Sequence, residues 1–434
     1  MEKWKKMMVI SFAVMLSLSG CSTKETVSEN NTDVSKLTIA PEVSEDFESE
    51  VGQEQSTMVE ALSNYVSSDE LALADYWGLS KEESLARVMK KARAGEKVTI
   101  VVLGGSITQG TISSGSDDTK LENKTSYADI FFDWWEKTFP EVEFEFFNAG
   151  IGATDSYLGV HRVQADVLNY HPDLVLVEFA VNDSTTYFYE KSYDNLLRKI
   201  LLSKDQPAVM LLFMGQTNGT SAQMNQSKIG YRYSLPMISY INVIEHMMEQ
   251  GTYTKEDLSG DEVHPSALGH AIAGEVLWKY LNSVYAMVDS YEEPEVFNES
   301  PVTKECYLDA QILDRSNIEP DTLGSFVPSK VFETFPNNWT CQEGEGEITF
   351  TTNLKNLGIM YYYQTDGKGG QFDVFVDDKK VATLDADFSR GWGNYAKSME
   401  CYTSDVSAEH KIVIKKSPDS TGDVFTILGL LVSY

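Results

Sequence analysis

Four side chains scattered through this 434-residue chain could together perform acyl transfer. Ser106 offers a hydroxyl, His264 an imidazole, Asp261 a carboxylate and Asn182 an amide. A serine nucleophile needs a base within hydrogen-bond reach and a third group that fixes the base's tautomer. His264 can be that base. Asp261, three residues earlier, can hold its ring. An oxyanion needs donors already in place. The backbone N–H groups of Ser106 and of Gly152 or Ala153 could supply two, and the Asn182 amide a third.

These residues lie 158 positions apart at the extremes, so the fold must bring them together. Val98–Leu103 is a near-continuous apolar run ending in Gly104-Gly105-Ser106, which suits a strand buried on both faces. Val142–Phe147 leads into the Gly-bearing turn Asn148–Thr154. Pro172–Phe179 leads into Ala180–Asp183, and Ala208–Phe213 into Gly215–Asn218. A short strand is expected near Leu235–Ser239. Helical spacing marks Ser80–Ala94, Tyr127–Phe139, Ser156–Tyr170, Tyr193–Leu202, Tyr240–Glu249 and Ser266–Val284. Ser80 and Glu83 suggest a capping box for the first, and Asp155 an N-cap for the third. Strand and helix alternate over residues 61–290. This predicts an α/β class, a three-layer parallel sheet with helices on both faces. The polar turns then gather at the carboxyl edge of the sheet, where such folds place ligands.

After residue 290 the texture changes. Residues 291–302, with two prolines and several glutamates, read as a linker. Alternating runs at 347–351, 357–363, 371–376, 381–384, 411–415 and 425–433, separated by Asp/Gly turns, predict an all-β sandwich over 303–434. Its aromatics, among them Trp339, Tyr361–Tyr363, Trp392 and Tyr395, suit a core or a sugar-stacking face. The Tyr127, Phe131, Trp134 and Trp135 cluster is read as core. His161, His171, His246 and His410 fall outside the motifs, and His270 is expected to pack. Asp183 is expected to cap a turn or orient Asn182.

Four blocks in order make the chain resemble the SGNH hydrolase superfamily, also called GDSL-like esterases. They are Gly104–Thr108, Asn148–Gly152, Ala180–Asp183 and Asp261–Pro265. The resemblance implies an α/β/α hydrolase domain with Ser106 as nucleophile, His264 as base, Asp261 as its partner and Asn182 as an oxyanion donor. Gly105 departs from the Asp usual there and points to the carbohydrate-esterase branch. Ala153 stands at the usual oxyanion glycine, where a positive φ would cost more for a side chain. Ala180 replaces a glycine. The stretch Gly391–Asn394 resembles the jelly-roll domains that accompany acetylesterases of this type. The expected activity is removal of O-acetyl or other small acyl groups from a carbohydrate. An O-acyltransferase on the same site and a non-catalytic glycan-binding lipoprotein are the alternatives. The polar loop 110–124 offers no apolar lid for a long-chain lipase.

The N-terminus adds an address. Lys3, Lys5 and Lys6 precede an apolar stretch from Met7 to Leu18, and Leu18-Ser19-Gly20-Cys21 resembles a bacterial lipobox. Residues 1–20 then form a signal peptide, Cys21 carries a lipid, and residues 21–60 form a polar tether. An extracytoplasmic, membrane-anchored protein is expected. The net charge of −31 argues against nucleic acid as a partner. No Cys/His spacing calls for a metal, and no cofactor is expected. Cys306, Cys341 and Cys401 allow one disulfide or three free thiols.

Overall fold

The computed structural model of the protein describes residues 65–75, 80–114, 125–344 and 346–434. The proposed leader 1–20, Cys21, the tether 21–60 and residues 115–124 of the polar loop lie outside them. Residues 56–434 form one compact unit.

Five strands make the first sheet: β1 (Val98–Gly104), β2 (Phe144–Gly150), β3 (Leu174–Glu178), β4 (Ala208–Phe213) and β5 (Met237–Ser239). All pair in parallel, in the order β2-β1-β3-β4-β5. Every residue of β1, β3 and β4 is buried, as their unbroken apolar runs require. Chain order reverses at β1, so the ends of β2, β1 and β3 adjoin there, and this switch point is where such sheets bind ligands.

Ten helices belong to this half among the described residues: α1 (Ser68–Ala74), α2 (Glu83–Arg93), α3 (Ser106–Gln109), α4 (Tyr127–Thr138), α5 (Ser156–Asp166), α6 (Tyr187–Leu201), α7 (Gln223–Arg232), α8 (Tyr240–Glu249), α9 (Lys255–Leu258) and α10 (Ala267–Ala286). The expected helix from Ser80 starts three residues later. Its N-cap is Glu82, without a side-chain cap bond, because the Ser80 hydroxyl donates to the Glu82 carboxylate instead. Capping boxes fall instead on α1 (Ser67 and Glu70), α4 (Ser126 and Asp129) and α9 (Thr254 and Asp257). The cluster of Tyr127, Phe131, Trp134 and Trp135 has no solvent exposure. The helix foreseen to Tyr170 ends at Asp166, and a 3-10 turn follows at Leu168–Tyr170. Among the described residues no helix is long and apolar enough to cross a membrane.

The second sheet has eight antiparallel strands: β6 (Gln311–Leu313), β7 (Phe326–Ser329), β8 (Asn338–Cys341), β9 (Glu347–Tyr363), β10 (Gln371–Val376), β11 (Lys379–Asp385), β12 (Tyr395–Lys416) and β13 (Phe425–Ser433). The runs at 347–351 and 357–363 are one long strand, paired along its length with β12. Register shifts between Glu400 and Tyr402 and between Thr403 and Ala408 bend this pair. The sheet folds over until Phe326 of β7 meets Phe372 of β10, near opposite edges, at 5.9 Å. The enclosed core includes Trp339, Phe350, Tyr361 and Ile414. Cys306, Cys341 and Cys401 are free thiols.

The two halves share apolar packing. Tyr157, Leu196 and Tyr307 join Met360, Ala396, Leu428 and Leu431 in one buried cluster. Residue 358 must be glycine for this approach, since a Cβ there would stand 2.2 Å from the Tyr157 hydroxyl. The segment read as a linker and the residues just after it are stitched along α6. Arg198 donates to the Glu299 carbonyl at 2.6 Å, Asp194 accepts the Thr303 N–H at 2.7 Å, and Asn195 accepts the Cys306 N–H at 2.9 Å.

Candidate active site

Ser106 begins α3 directly after β1, at the switch point. Its Oγ lies 2.9 Å from His264 Nε2. His264 sits in the short loop between α9 and α10. Its Nδ1 donates to Asp261 Oδ2 at 2.7 Å. Asp261 Oδ1 meanwhile accepts the backbone N–H groups of His264 at 2.7 Å and Val263 at 3.0 Å. One carboxylate thus shapes the loop and orients the ring. With Nδ1 carrying the proton, Nε2 presents its lone pair to Ser106. Partial burial pushes the Asp261 carboxyl up, but the hydrogen bonds from His264 and Val263 outweigh it and leave Asp261 below its usual range. It therefore stays ionised at neutral pH.

Asn182 follows β3. Its Oδ1 is buried without a partner, and lies 2.2 Å from where a Cβ on residue 105 would stand. Gly105 is what lets the amide lie against the Ser106 turn; its φ of −91° would suit any residue. The turn after β2 supplies Gly152 and Ala153. Among the described residues, neither N–H donates to a protein acceptor. Ala153 has a φ of 59°, the left-handed conformation that favours glycine and costs an alanine about 1 kcal/mol. Such strain clusters at functional turns. Ser106, His264, Asp261, Asn182 and the Gly152-Ala153 turn all meet at the carboxyl edge of β1, β2 and β3.

Several supporting residues escaped the sequence. Arg162 on α5 is fully buried. It donates to the Gly104 carbonyl at 2.9 Å, the Ala149 carbonyl at 2.8 Å and Asp166 at 2.9 Å, tying the ends of β1 and β2 together. Ser113 donates to the His264 carbonyl at 2.6 Å and accepts the Gly260 N–H at 2.9 Å, and Ser259 donates to the same carbonyl at 2.8 Å. No motif marks these three. Glu178 could have been noticed, as an acid ending an otherwise apolar strand. Asp183 accepts the Ser156 N–H and the Gln226 amide, both at 2.9 Å, and burial holds its carboxyl well above the usual range. Asp155 caps α5 by accepting from Leu158 and also receives the Tyr189 hydroxyl at 3.0 Å. His270 packs as expected, accepting the Tyr127 N–H at 3.1 Å; burial lowers it to about 4. Among the described residues no group of three or more His, Cys, Asp or Glu side chains could hold a metal ion.

The C-terminal sheet carries an aromatic cluster of its own. Trp392 is 73% exposed. It stacks on Tyr395 at 5.1 Å and 9°, while Tyr363 stacks on Phe388 at 4.6 Å and 14°. Burial, Tyr363 and the nearby Asp155 carboxyl together push the Tyr395 phenol up to about 12.

Comparison with known proteins gives concordant matches. Residues 102–272 match the family described as GDSL-like Lipase/Acylhydrolase. A crystal structure of a two-domain esterase active on acetylated mannans, co-crystallised with mannopentaose, is similar at 30% identity and a TM-score of 0.72. The match covers 82% of this chain and 95% of that one. A second crystal structure of a two-domain esterase active on acetylated mannans matches at 29% identity and a TM-score of 0.72, over 82% and 96% of the two chains. The coverage extends beyond the α/β half into the second sheet. No curated protein matches the chain.

Proposed function

The chain belongs to the GDSL-like lipase/acylhydrolase family and is a carboxylic ester hydrolase; from that premise we propose that it removes O-acetyl or other small acyl groups from a carbohydrate through an acyl-enzyme on Ser106. The observation that carries this reading is the relay from Ser106 Oγ to His264 Nε2 at 2.9 Å and from His264 Nδ1 to Asp261 at 2.7 Å. Ser106 Oγ attacks the ester carbonyl carbon while its proton passes to His264 Nε2. The oxyanion is met by the N–H groups of Ser106 and of Gly152 or Ala153 and by the Asn182 amide. Collapse breaks the bond to the sugar oxygen, which takes the proton from His264. Water then attacks the acyl-serine, gives a proton to His264, and releases the carboxylic acid as Ser106 Oγ recovers that proton.

Two observations support a carbohydrate as the alcohol half. The similar two-domain esterase is described as active on acetylated mannans. The exposed Trp392 face on the second sheet is backed by Tyr395; a flat aromatic face suits the apolar face of a sugar ring. The test is acetate release from a panel of acetylated polysaccharides headed by acetylated mannan, together with turnover of 4-nitrophenyl acetate. Ser106→Ala should lower turnover of the aryl acetate by at least a thousandfold. Near-normal turnover by that variant refutes the assignment. Loss of Trp392 should weaken use of the polysaccharide while sparing the aryl acetate.

A second part of the proposal concerns location. The Leu18–Cys21 stretch after the basic and apolar segments supports lipidation of Cys21 and display of the enzyme on the outer face of a membrane. Wild type should incorporate a palmitate analogue in bacterial cells and Cys21→Ala should not; equal labelling of the two refutes it.

A further inference from the structure

The mechanism above leaves a carboxyl group unexplained, sealed beneath the nucleophile. Glu178, the last residue of β3, has no solvent exposure. Its Oε2 accepts the Thr108 hydroxyl at 3.2 Å. Thr108 Oγ1 also lies 2.7 Å from the Tyr127 hydroxyl. Thr108 has one proton and gives it to Glu178, so Tyr127 must be the donor to Thr108. Tyr127 has no solvent exposure either. The result is a buried chain from Tyr127 through Thr108 to Glu178.

Its last two members join different segments of the site. Thr108 stands two residues past Ser106 on α3, and Glu178 stands four residues before Asn182. The Glu178 carboxyl also faces the backbone N–H groups of Ala180 and Val181, which favour its charged form, although burial prevails and pushes it up to about 7. Its Oε1 finds no partner at hydrogen-bonding distance. A buried, incompletely satisfied carboxyl weakens a fold, and an apolar side chain ending β3 would pack at less cost. What Glu178 does provide is a hydrogen bond from the end of β3, the strand that leads to Asn182, across to Thr108 on the helix that Ser106 begins.

We propose that Glu178, acting through Thr108, is a positioning residue that sets the spacing between the Ser106 nucleophile and the Asn182 amide. This rests on the assignment of Ser106 and Asn182 made above. Neither Glu178 nor Thr108 touches substrate. Together they fix where the oxyanion donor stands relative to the attacking oxygen, a placement to which rate is steeply sensitive.

The test compares Thr108→Val, Thr108→Ser and Glu178→Gln by steady-state kinetics on 4-nitrophenyl acetate. Valine keeps the shape of threonine and removes the hydroxyl. Glutamine keeps the size of glutamate but removes its charge and turns one of its two acceptor oxygens into an NH2 donor. Thr108→Val and Glu178→Gln should each lower kcat by about 10- to 100-fold with KM within about twofold. Thr108→Ser should recover kcat to within about threefold of wild type. In an Asn182→Ala background the effect of Thr108→Val should shrink below about threefold, because the donor being positioned is gone. The proposal is overturned if kcat of Thr108→Val stays within threefold of wild type, if serine fails to restore it, or if the effect persists undiminished without Asn182. Should Thr108→Val fail to fold, Glu178→Gln carries the same comparisons. Ser106→Ala separates the levels: activity in that variant removes the assignment beneath the proposal, whereas an inactive Ser106→Ala beside a normal Thr108→Val removes the proposal alone.

Discussion

Gly105→Ala is a one-carbon change whose effect on catalysis can be worked from the structure. The φ of −91° at residue 105 is open to a side chain. Space is what forbids it. A Cβ would lie 2.2 Å from Asn182 Oδ1, 2.9 Å from its Cγ and 3.2 Å from its Nδ2. Restoring ordinary contact needs Asn182 to retreat by about 1 Å or more. Loss of one oxyanion donor costs about 10²- to 10³-fold in kcat, or about 3 to 4 kcal/mol of transition-state stabilisation. Gly105→Ala should therefore lower kcat on 4-nitrophenyl acetate by about a hundredfold, with little change in KM or melting temperature. The decisive measurement is a double-mutant cycle with Asn182→Ala. If glycine serves only to admit the amide, the double variant should be no slower than Asn182→Ala alone. A kcat within twofold of wild type, or two effects that multiply in the double variant, refutes the reasoning.

Other expectations follow from the same geometry. Asp261→Asn should lower kcat by roughly 10²- to 10⁴-fold, because an amide no longer holds the proton on Nδ1 of His264; turnover at pH 7.5 checks it, and a change under tenfold counts against the orienting role. Arg162→Met should cost about 3 kcal/mol in urea unfolding, since it removes a buried arginine's hydrogen bonds to the Gly104 and Ala149 carbonyls and its ion pair with Asp166, and an unshifted midpoint would contradict that. Glu178 should give stability a signed pH dependence. Burial raises its folded pKa from 4.5 to about 7, so the folded state holds the proton more tightly than the unfolded chain. That contribution is complete below about pH 4.5 and is lost as pH rises through 7, a swing on the order of 3 kcal/mol. Glu178→Gln should accordingly look worse relative to wild type at pH 5 than at pH 8 in thermal melts; the same offset at both pH values would refute it.

The site was more legible in the sequence than its supports. Ser106, Asn182 and His264 each follow a strand or precede a helix with clear apolar periodicity, so both their types and their placement could be read. Arg162 could not, because a buried arginine on a helix has the same local pattern as an exposed one. Helix α7 went unread for a related reason: Asn225, Gln226 and Ser227 are among its buried residues, so its inner face carries no apolar stripe. In the second sheet only residues 411–415 of the 22-residue β12 were anticipated. Its first half has exposed positions on both faces and two register shifts, which erase the alternation a strand normally shows.

The apolar packing shared between the halves also bears on how the protein is made. The α5 and α6 helices carry the residues that follow the oxyanion turns, and their outer faces are covered by Met360, Leu428 and Leu431. Leu428 and Leu431 belong to β13, the last strand of the second sheet. During synthesis or export the α/β half emerges first, and part of its apolar surface stays uncovered until that strand arrives. A chain lacking β13 would be left with an aggregation-prone face rather than a working N-terminal half.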